Sequence, residues 1–251
     1  MQSSTSSWRR RLLPTCLLPL LAACLAGPAQ ASEFSVSPVR AELRAGALSE
    51  TITVTNRGNT PLRVGVKIME WTQDAQGQDV YRDTGDLVYF PRQMELEPEG
   101  KRLVRVGAKT PAAGVERTYR MFIEELPEPS ADAAHAQVAV YFRFGVPIFL
   151  TPVAPHGEPE IGEPSVEHGK LSLTVRNPGN QHVRILKLVV SDAAGFSREI
   201  AGWYSLAGSQ RTYALDLPRE VCRRAPTLSV AVEGEGLRAD RKLHVDPARC
   251  S

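Results

Sequence analysis

Catalytic signatures are missing from this sequence. It has no Gly-x-Ser-x-Gly elbow, no His-Glu-x-x-His pair, no phosphate-cradling glycine loop and no Cys-x-x-Cys. Its five histidines, His135, His156, His168, His182 and His244, lie scattered without the spacing that gathers metal ligands. No metal, cofactor or small-molecule substrate is therefore expected, and a binding protein is favoured over an enzyme. Charge of one sign is also lacking, with 30 basic against 28 acidic residues. No field for nucleic acid or anionic lipid follows from that balance. Helix periodicity is almost absent, which leaves an all-β chain.

Cysteine is sparse, and its placement depends on processing. Residues 1–31 read as a secretory signal. Arg9, Arg10 and Arg11 precede a broken apolar run over residues 12–25, and Ala29-Gln30-Ala31 has the small-x-small shape of a cleavage site. Prolines 14 and 19 interrupt the run, which is short for a membrane span. A competing reading is Leu21-Ala22-Ala23-Cys24, which looks like a lipoprotein box and would tether the product through Cys24. Loss of residues 1–31 removes three arginines and no acid, leaving 27 basic and 28 acidic residues. It also leaves two cysteines, Cys222 and Cys250. In an oxidising compartment a disulfide between them is expected, with two buried free thiols as the alternative.

What is abundant is strand pattern, recurring every 8 to 14 residues as in β-sandwiches. Strands are expected at 34–43, 51–56, from residue 62 through 68, at 101–106 and at 118–126, with a hairpin and loop over 72–86. Residues 127–134 read as a polar, proline-bearing loop. Residues 151–164 hold four prolines in fourteen positions, which excludes a central strand and suits a stiff linker. Beyond it, strands are expected at 170–176, 182–191, 197–200, 210–215, 228–233 and 237–245. This divides the chain into a leader (1–31), an N-terminal domain (32–151) and a C-terminal domain (152–251).

The stretch 137–150, QVAVYFRFGVPIFL, organises the rest. Val138, Val140, Phe142, Phe144, Val146, Ile148 and Leu150 share one face at period two. Read as one strand, the run spans about 46 Å at about 3.3 Å per residue and outlasts an ordinary sheet. Pro147 cannot donate to a ladder, which points to an edge near that end. A long apolar edge must be covered, or lent to a partner by strand addition. A buried sandwich strand is the plainer alternative.

An internal repeat suggests two domains of one architecture. Thr53-Val54-Thr55-Asn56-Arg57-Gly58-Asn59 matches Thr174-Val175-Arg176-Asn177-Pro178-Gly179-Asn180 at an offset of 121 residues, and Arg63 and Arg184 keep that offset. Each copy reads as strand, Asn-x-Gly-Asn turn, strand.

These features, taken in order, resemble the periplasmic chaperones of the chaperone–usher pilus pathway, the PapD-like family. The resemblance rests on Ser37-Pro38-Val39-Arg40, the Thr-Val-Thr-Asn-Arg-Gly-Asn turn, Phe90-Pro91, residues 96–100 leading to Val104-Arg105-Val106, Glu116-Arg117-Thr118-Tyr119-Arg120 before Glu125-Leu126-Pro127, and the run that ends at Thr151-Pro152. The stretches Glu-Arg-Thr-Tyr-Arg and Arg-Phe-Gly-Val-Pro look most like the archaic, spore-coat-protein-U-type branch. The resemblance implies two immunoglobulin-like β-sandwiches set at an angle, with a cleft between them. It implies a donor strand whose Val138, Val140, Phe142 and Phe144 enter a pilin subunit lacking its last strand, and an outer-membrane usher that later receives the subunit. It implies two basic cleft residues on the subunit's C-terminal carboxylate. Arg40 matches the first. The family's second, a lysine on the long strand, falls on Pro147, so Arg120 and then Arg143 are the replacement candidates. Periplasmic location is implied, and a dimer in which free copies cap each other is left open.

The competing class is a two-sandwich adhesion or structural protein assembling through edge strands. Such a subunit is expected to carry its own donor extension, whereas the folded pattern starts within a few residues of Ala31.

Overall fold

The computed structural model describes residues 34–127 and 141–250. Its strands, in chain order, are β1 (Phe34–Ser37), β2 (Ala41–Leu43), β3 (Ser49–Asn56), β4 (Leu62–Gln73), β5 (Asp79–Asp83), β6 (Leu87–Phe90), β7 (Gln93–Leu96), β8 (Lys101–Ala108), β9 (Arg117–Glu125) and β10 (Arg143–Leu150). There follow β11 (Glu160–Ile161), β12 (Ser165–Glu167), β13 (Lys170–Arg176), β14 (Val183–Ser191), β15 (Ser197–Ala201), β16 (Tyr204–Ser205), β17 (Gln210–Asp216), β18 (Thr227–Gly234) and β19 (Leu237–His244). One short helix, α1 (Arg219–Arg224), and a 3₁₀ turn at Pro247–Cys250 complete the described chain.

Alternation along these strands builds two separate cores. In the first, the sheet β1-β3-β8-β6 faces the sheet β2-β10-β9-β4-β5, with β7 also on β4. Ile52, Val54, Val104 and Val106 from one sheet pack with Leu43, Val64, Tyr119, Met121, Ile123 and Ile148 from the other. In the second, β13 carries β11, β12 and β17, and faces the sheet β15-β14-β18-β19, with β16 on β14. Its core holds Leu171, Leu173, Val175, Leu188, Val190, Leu228, Val230 and Val232. Strands apolar on one face and polar on the other give this two-layer arrangement.

Four expectations need adjustment. The first strand, read as continuous over 34–43, is two. β1 pairs with β3 in one sheet and β2 pairs with β10 in the other, so the chain changes sheets at residues 38–40. Pro38 lies in that bend, between two strands that are each the edge of their sheet. The proline-rich segment contains β11, a two-residue edge strand on β13. Of the run 137–150, residues 137–140 lie outside the described residues; within the remainder the strand begins at Arg143, with Tyr141 and Phe142 ahead of it. The fourth is that β6, β7, β12 and β16 were not expected, being too brief to show a period.

Helix α1 buries Val221 and Cys222, with Glu220 in its first turn and Arg223 and Arg224 in its last, where the helix dipole favours them. Cys222 is bonded to Cys250, Cα–Cα 5.8 Å, and so ties the helix to the C-terminal 3₁₀ turn.

The repeat has a shared structural role. Asn56 Nδ2 donates to the carbonyls of Thr60, Leu96 and Glu97, and its Oδ1 accepts from Gly58 N. Asn177 does the same, with Nδ2 on the carbonyls of Gln181, Ser205 and Leu206 and Oδ1 accepting from Gly179 N. Each asparagine thereby satisfies polar backbone that its sandwich encloses. Asn177→Ala is expected to lower stability by about 3 kcal/mol, because several enclosed backbone groups lose their partner. Urea unfolding checks this, and an unchanged midpoint would contradict it.

Candidate functional site

The site begins with β10. It pairs antiparallel with β9 along its whole length, Arg143 opposite Glu124 through Leu150 opposite Arg117. Its other flank is covered only at the end, where residues 148–150 run parallel to β2. From Arg143 to Pro147 that flank carries no strand among the described residues. The hydrogen-bond parity explains the proline. Glu125 N donates to Phe142 O, so even-numbered residues of β10 bond toward β9. Thr151 N donates to Leu43 O, so odd-numbered residues face the other flank. Pro147 therefore lacks its N–H on the open side, where no ladder bond is lost.

The apolar face divides along this strand. Val146, Ile148 and Leu150 are sealed in the strand's own sandwich. Phe142 and Phe144 are 38% and 39% exposed, and Tyr141 is 52% exposed. The Phe144 ring meets Phe34 edge-on at 4.9 Å and is otherwise open. Val138 and Val140 lie outside the described residues.

The opposite face of β10 looks into the joint between the sandwiches. Phe149 is fully buried there with Trp71, Tyr204 and Leu206. His182 of the second sandwich stacks on Phe149 at 3.6 Å, and its Nδ1 lies 2.7 Å from Glu116 Oε2 of the first. Gln73 adds bonds to the backbone of Tyr204 and Leu206 and to Ser209 Oγ. Trp203 Nε1 donates to Asp79 at 2.8 Å. None of these joint residues was singled out as functional from sequence. They come from distant strands, so no local sequence pattern joins them. A cavity of 580 Å³ opens beside the joint, bordered by Gln73, Glu116, Thr118, Arg176 and Ser209. None of the three expected arginines borders it.

Those arginines occupy three different settings. Arg40, at the bend between β1 and β2, pairs with Glu235 at 3.0 Å and with Glu42 at 3.5 Å. Arg120 lies opposite Pro147, with its guanidinium 5.0 Å from the Trp71 ring and 5.2 Å from the Trp203 ring. Its Nε and Nη1 are buried with no hydrogen-bond partner. The side chain passes over Gly145, where an added Cβ would come within 2.7 Å of Arg120 Nε. A glycine at 145 thus makes room for Arg120. Arg143 bonds Glu124 at 2.7 Å and covers the Phe122 ring at 3.8 Å.

Burial pushes the Tyr81 phenol up to about 12, helped by the Asp79 charge and opposed by Arg120 and Arg143. An unfolded tyrosine ionises near about 10. The raised value means that the folded chain holds a proton the unfolded chain releases. The contribution is complete below about pH 10 and is lost as pH rises through about 12. Urea midpoints are expected to fall across that window and to fall less in Tyr81→Phe. Equal slopes in both proteins would contradict this.

Fold and site define a class: two joined β-sandwiches, one of them with a strand that, among the described residues, is open along part of one flank and flanked by arginines. Residues 33–155 match the family model of the pili and flagellar-assembly chaperone, PapD N-terminal domain. The first sandwich is thus a PapD-type N-terminal domain of the pilus-assembly chaperones. Solved structures share the fold over both sandwiches. A CsuC–CsuE chaperone–tip adhesion subunit complex from the archaic chaperone–usher Csu pili of Acinetobacter baumannii aligns with TM-score 0.61 and 18% identity, over 84% of this chain and 98% of that one. The SafB chaperone with SafA pilin from Salmonella enterica aligns at 0.56 and 16%, over 86% and 98%. The CupB2 chaperone of Pseudomonas aeruginosa aligns at 0.54 and 18%, over 84% and 100%. No curated protein matches the chain.

Proposed function

We propose that this protein holds pilin-type subunits by lending them β10 and hands them to an outer-membrane usher. One observation carries the reading. Among the described residues the strand keeps an open flank from Arg143 to Pro147, and Phe142 and Phe144 stand exposed at its start. An incomplete sandwich adding its own strand there gains main-chain bonds and buries those rings. Each buried apolar side chain is worth about 1.5–3 kcal/mol, and Val138 and Val140 extend the same face. Arg40 sets the register by receiving the subunit's C-terminal carboxylate. Arg120 and Arg143 are the candidate helpers on neighbouring positions.

The leader over residues 1–31 and the Cys222–Cys250 disulfide support export to the periplasm, with Cys24 lipidation as the alternative anchor. Among the described residues the same flank is also open to a second copy, so self-capping by a second copy is the alternative occupant of that flank. The archaic Csu complex is the relative that supports assignment to that branch. Affinity purification from periplasm with mass identification of the partner tests the reading. A small sandwich protein bound one to one is expected. Recovery of the chain alone from pilus-producing cells would contradict it.

A further inference from the structure

Arg40 already holds a carboxylate. Its Nη1 lies 3.3 and 3.0 Å from the two oxygens of Glu235, which belongs to the second sandwich. A second guanidinium reaches the same group: Arg184 Nε lies 3.7 Å from Glu235 Oε1. Arg184 is itself oriented by Tyr204, donating to its hydroxyl at 2.5 Å and lying 4.8 Å from its ring centroid. The turn that carries the carboxylate is fixed by its backbone. Glu235 sits in the two-residue turn between β18 and β19, and its N–H donates to Arg184 O at 2.9 Å. The turn presses so closely that a Cβ on Gly234 would lie 2.7 Å from that same oxygen.

We infer that Glu235 is a tethered stand-in for the subunit's terminal carboxylate, and that Arg184 is the second basic residue of that carboxylate site. The inference rests on the capture mode proposed above. Its chemistry follows from exposure and geometry. The side chains of Arg40, Arg184 and Glu235 are 36%, 40% and 48% exposed, so the resident pairs are weak and screened. Glu235 engages Arg40 through Nη1 alone, whereas a main-chain carboxylate can take two parallel N–H bonds from the fork. Displaced Glu235 returns to water at little desolvation cost. The exchange favours a ligand that also docks apolar side chains on β10, and it turns away stray carboxylates. Glu235 is thus a specificity residue of the capture site.

The test uses the full mature chain and a synthetic acetyl hexapeptide of alternating valine and threonine, as free acid and as amide. Binding is read from the arginine Nε–Hε resonances in NMR titrations. In the wild type the acid should bind more tightly than the amide. Glu235→Gln should widen that preference by about twofold to fivefold, the range expected for a half-exposed ion pair. Arg184→Gln in the Glu235→Gln background should erase the gain. An acid preference that Glu235→Gln leaves unchanged overturns the stand-in while the Arg40 anchor survives. A preference that Arg184→Gln leaves unchanged overturns the role of Arg184. Acid and amide behaving alike in every variant, bound or unbound, overturns carboxylate capture itself.

Discussion

Arg40→Glu recovers no subunit from periplasm, while its thermal unfolding stays within about 2 °C of the wild type. Two effects combine. The substitution deletes the charge-assisted bond to the incoming carboxylate and sets a like charge in its path. Losing one partner of such a pair costs about 2–5 kcal/mol, which is roughly a 30-fold to several-thousand-fold loss of affinity. Stability is spared because Arg40 is a half-exposed residue whose pairs with Glu235 and Glu42 contribute about 0–1 kcal/mol. The joint does not depend on it, since Trp71, Phe149, Tyr204 and Leu206 enclose one another independently. Co-purification and a melting curve decide the matter together. A folded Arg40→Glu protein that still brought down its subunit would remove Arg40 from the site.

The second large effect is on the lent side chains. Phe142→Asp combined with Phe144→Asp is expected to abolish capture. Each ring forfeits about 1.5–3 kcal/mol of burial, and a carboxylate forced into an apolar pocket adds a desolvation penalty. Together this is at least about a hundredfold. The Phe144 ring packs on Phe34, so some stability is lost there and Phe142→Asp is the cleaner single variant. Leu103→Asp supplies the control, since Leu103 is 60% exposed on β8, in the sheet opposite the one that holds β10. The same chemical change at that position is expected to leave capture intact. Equal losses from both would point to a general solubility effect.

Much of this was legible in the sequence because β-structure writes itself at period two. Val146, Ile148 and Leu150 bury as that period implies, and Tyr119, Met121 and Ile123 follow the same rule on β9. Pro147 announced an open flank for a reason that the ladder parity makes explicit. The repeated asparagines marked two like turns, and each does the same backbone work. The rest was hidden for a physical reason. Arg40, Arg184 and Glu235 come from three elements far apart in the chain, and nothing local in any of them speaks of the others. Arg184 was visible only as one end of the repeat offset. The division of the first strand between two sheets is likewise a tertiary outcome that its short apolar pattern does not encode.

The account stands on main-chain bonds forming along one flank of β10, and amide hydrogen exchange reads those bonds directly. In the free chain Arg143 and Gly145 point their N–H groups to the open side, while those of Phe144 and Val146 are committed to β9. On subunit binding, exchange at Arg143 and Gly145 should slow by at least about a hundredfold, with Phe144 and Val146 scarcely changed. If Arg143 and Gly145 exchange as fast in the complex as in the free chain, the subunit is held elsewhere and strand lending by β10 is wrong.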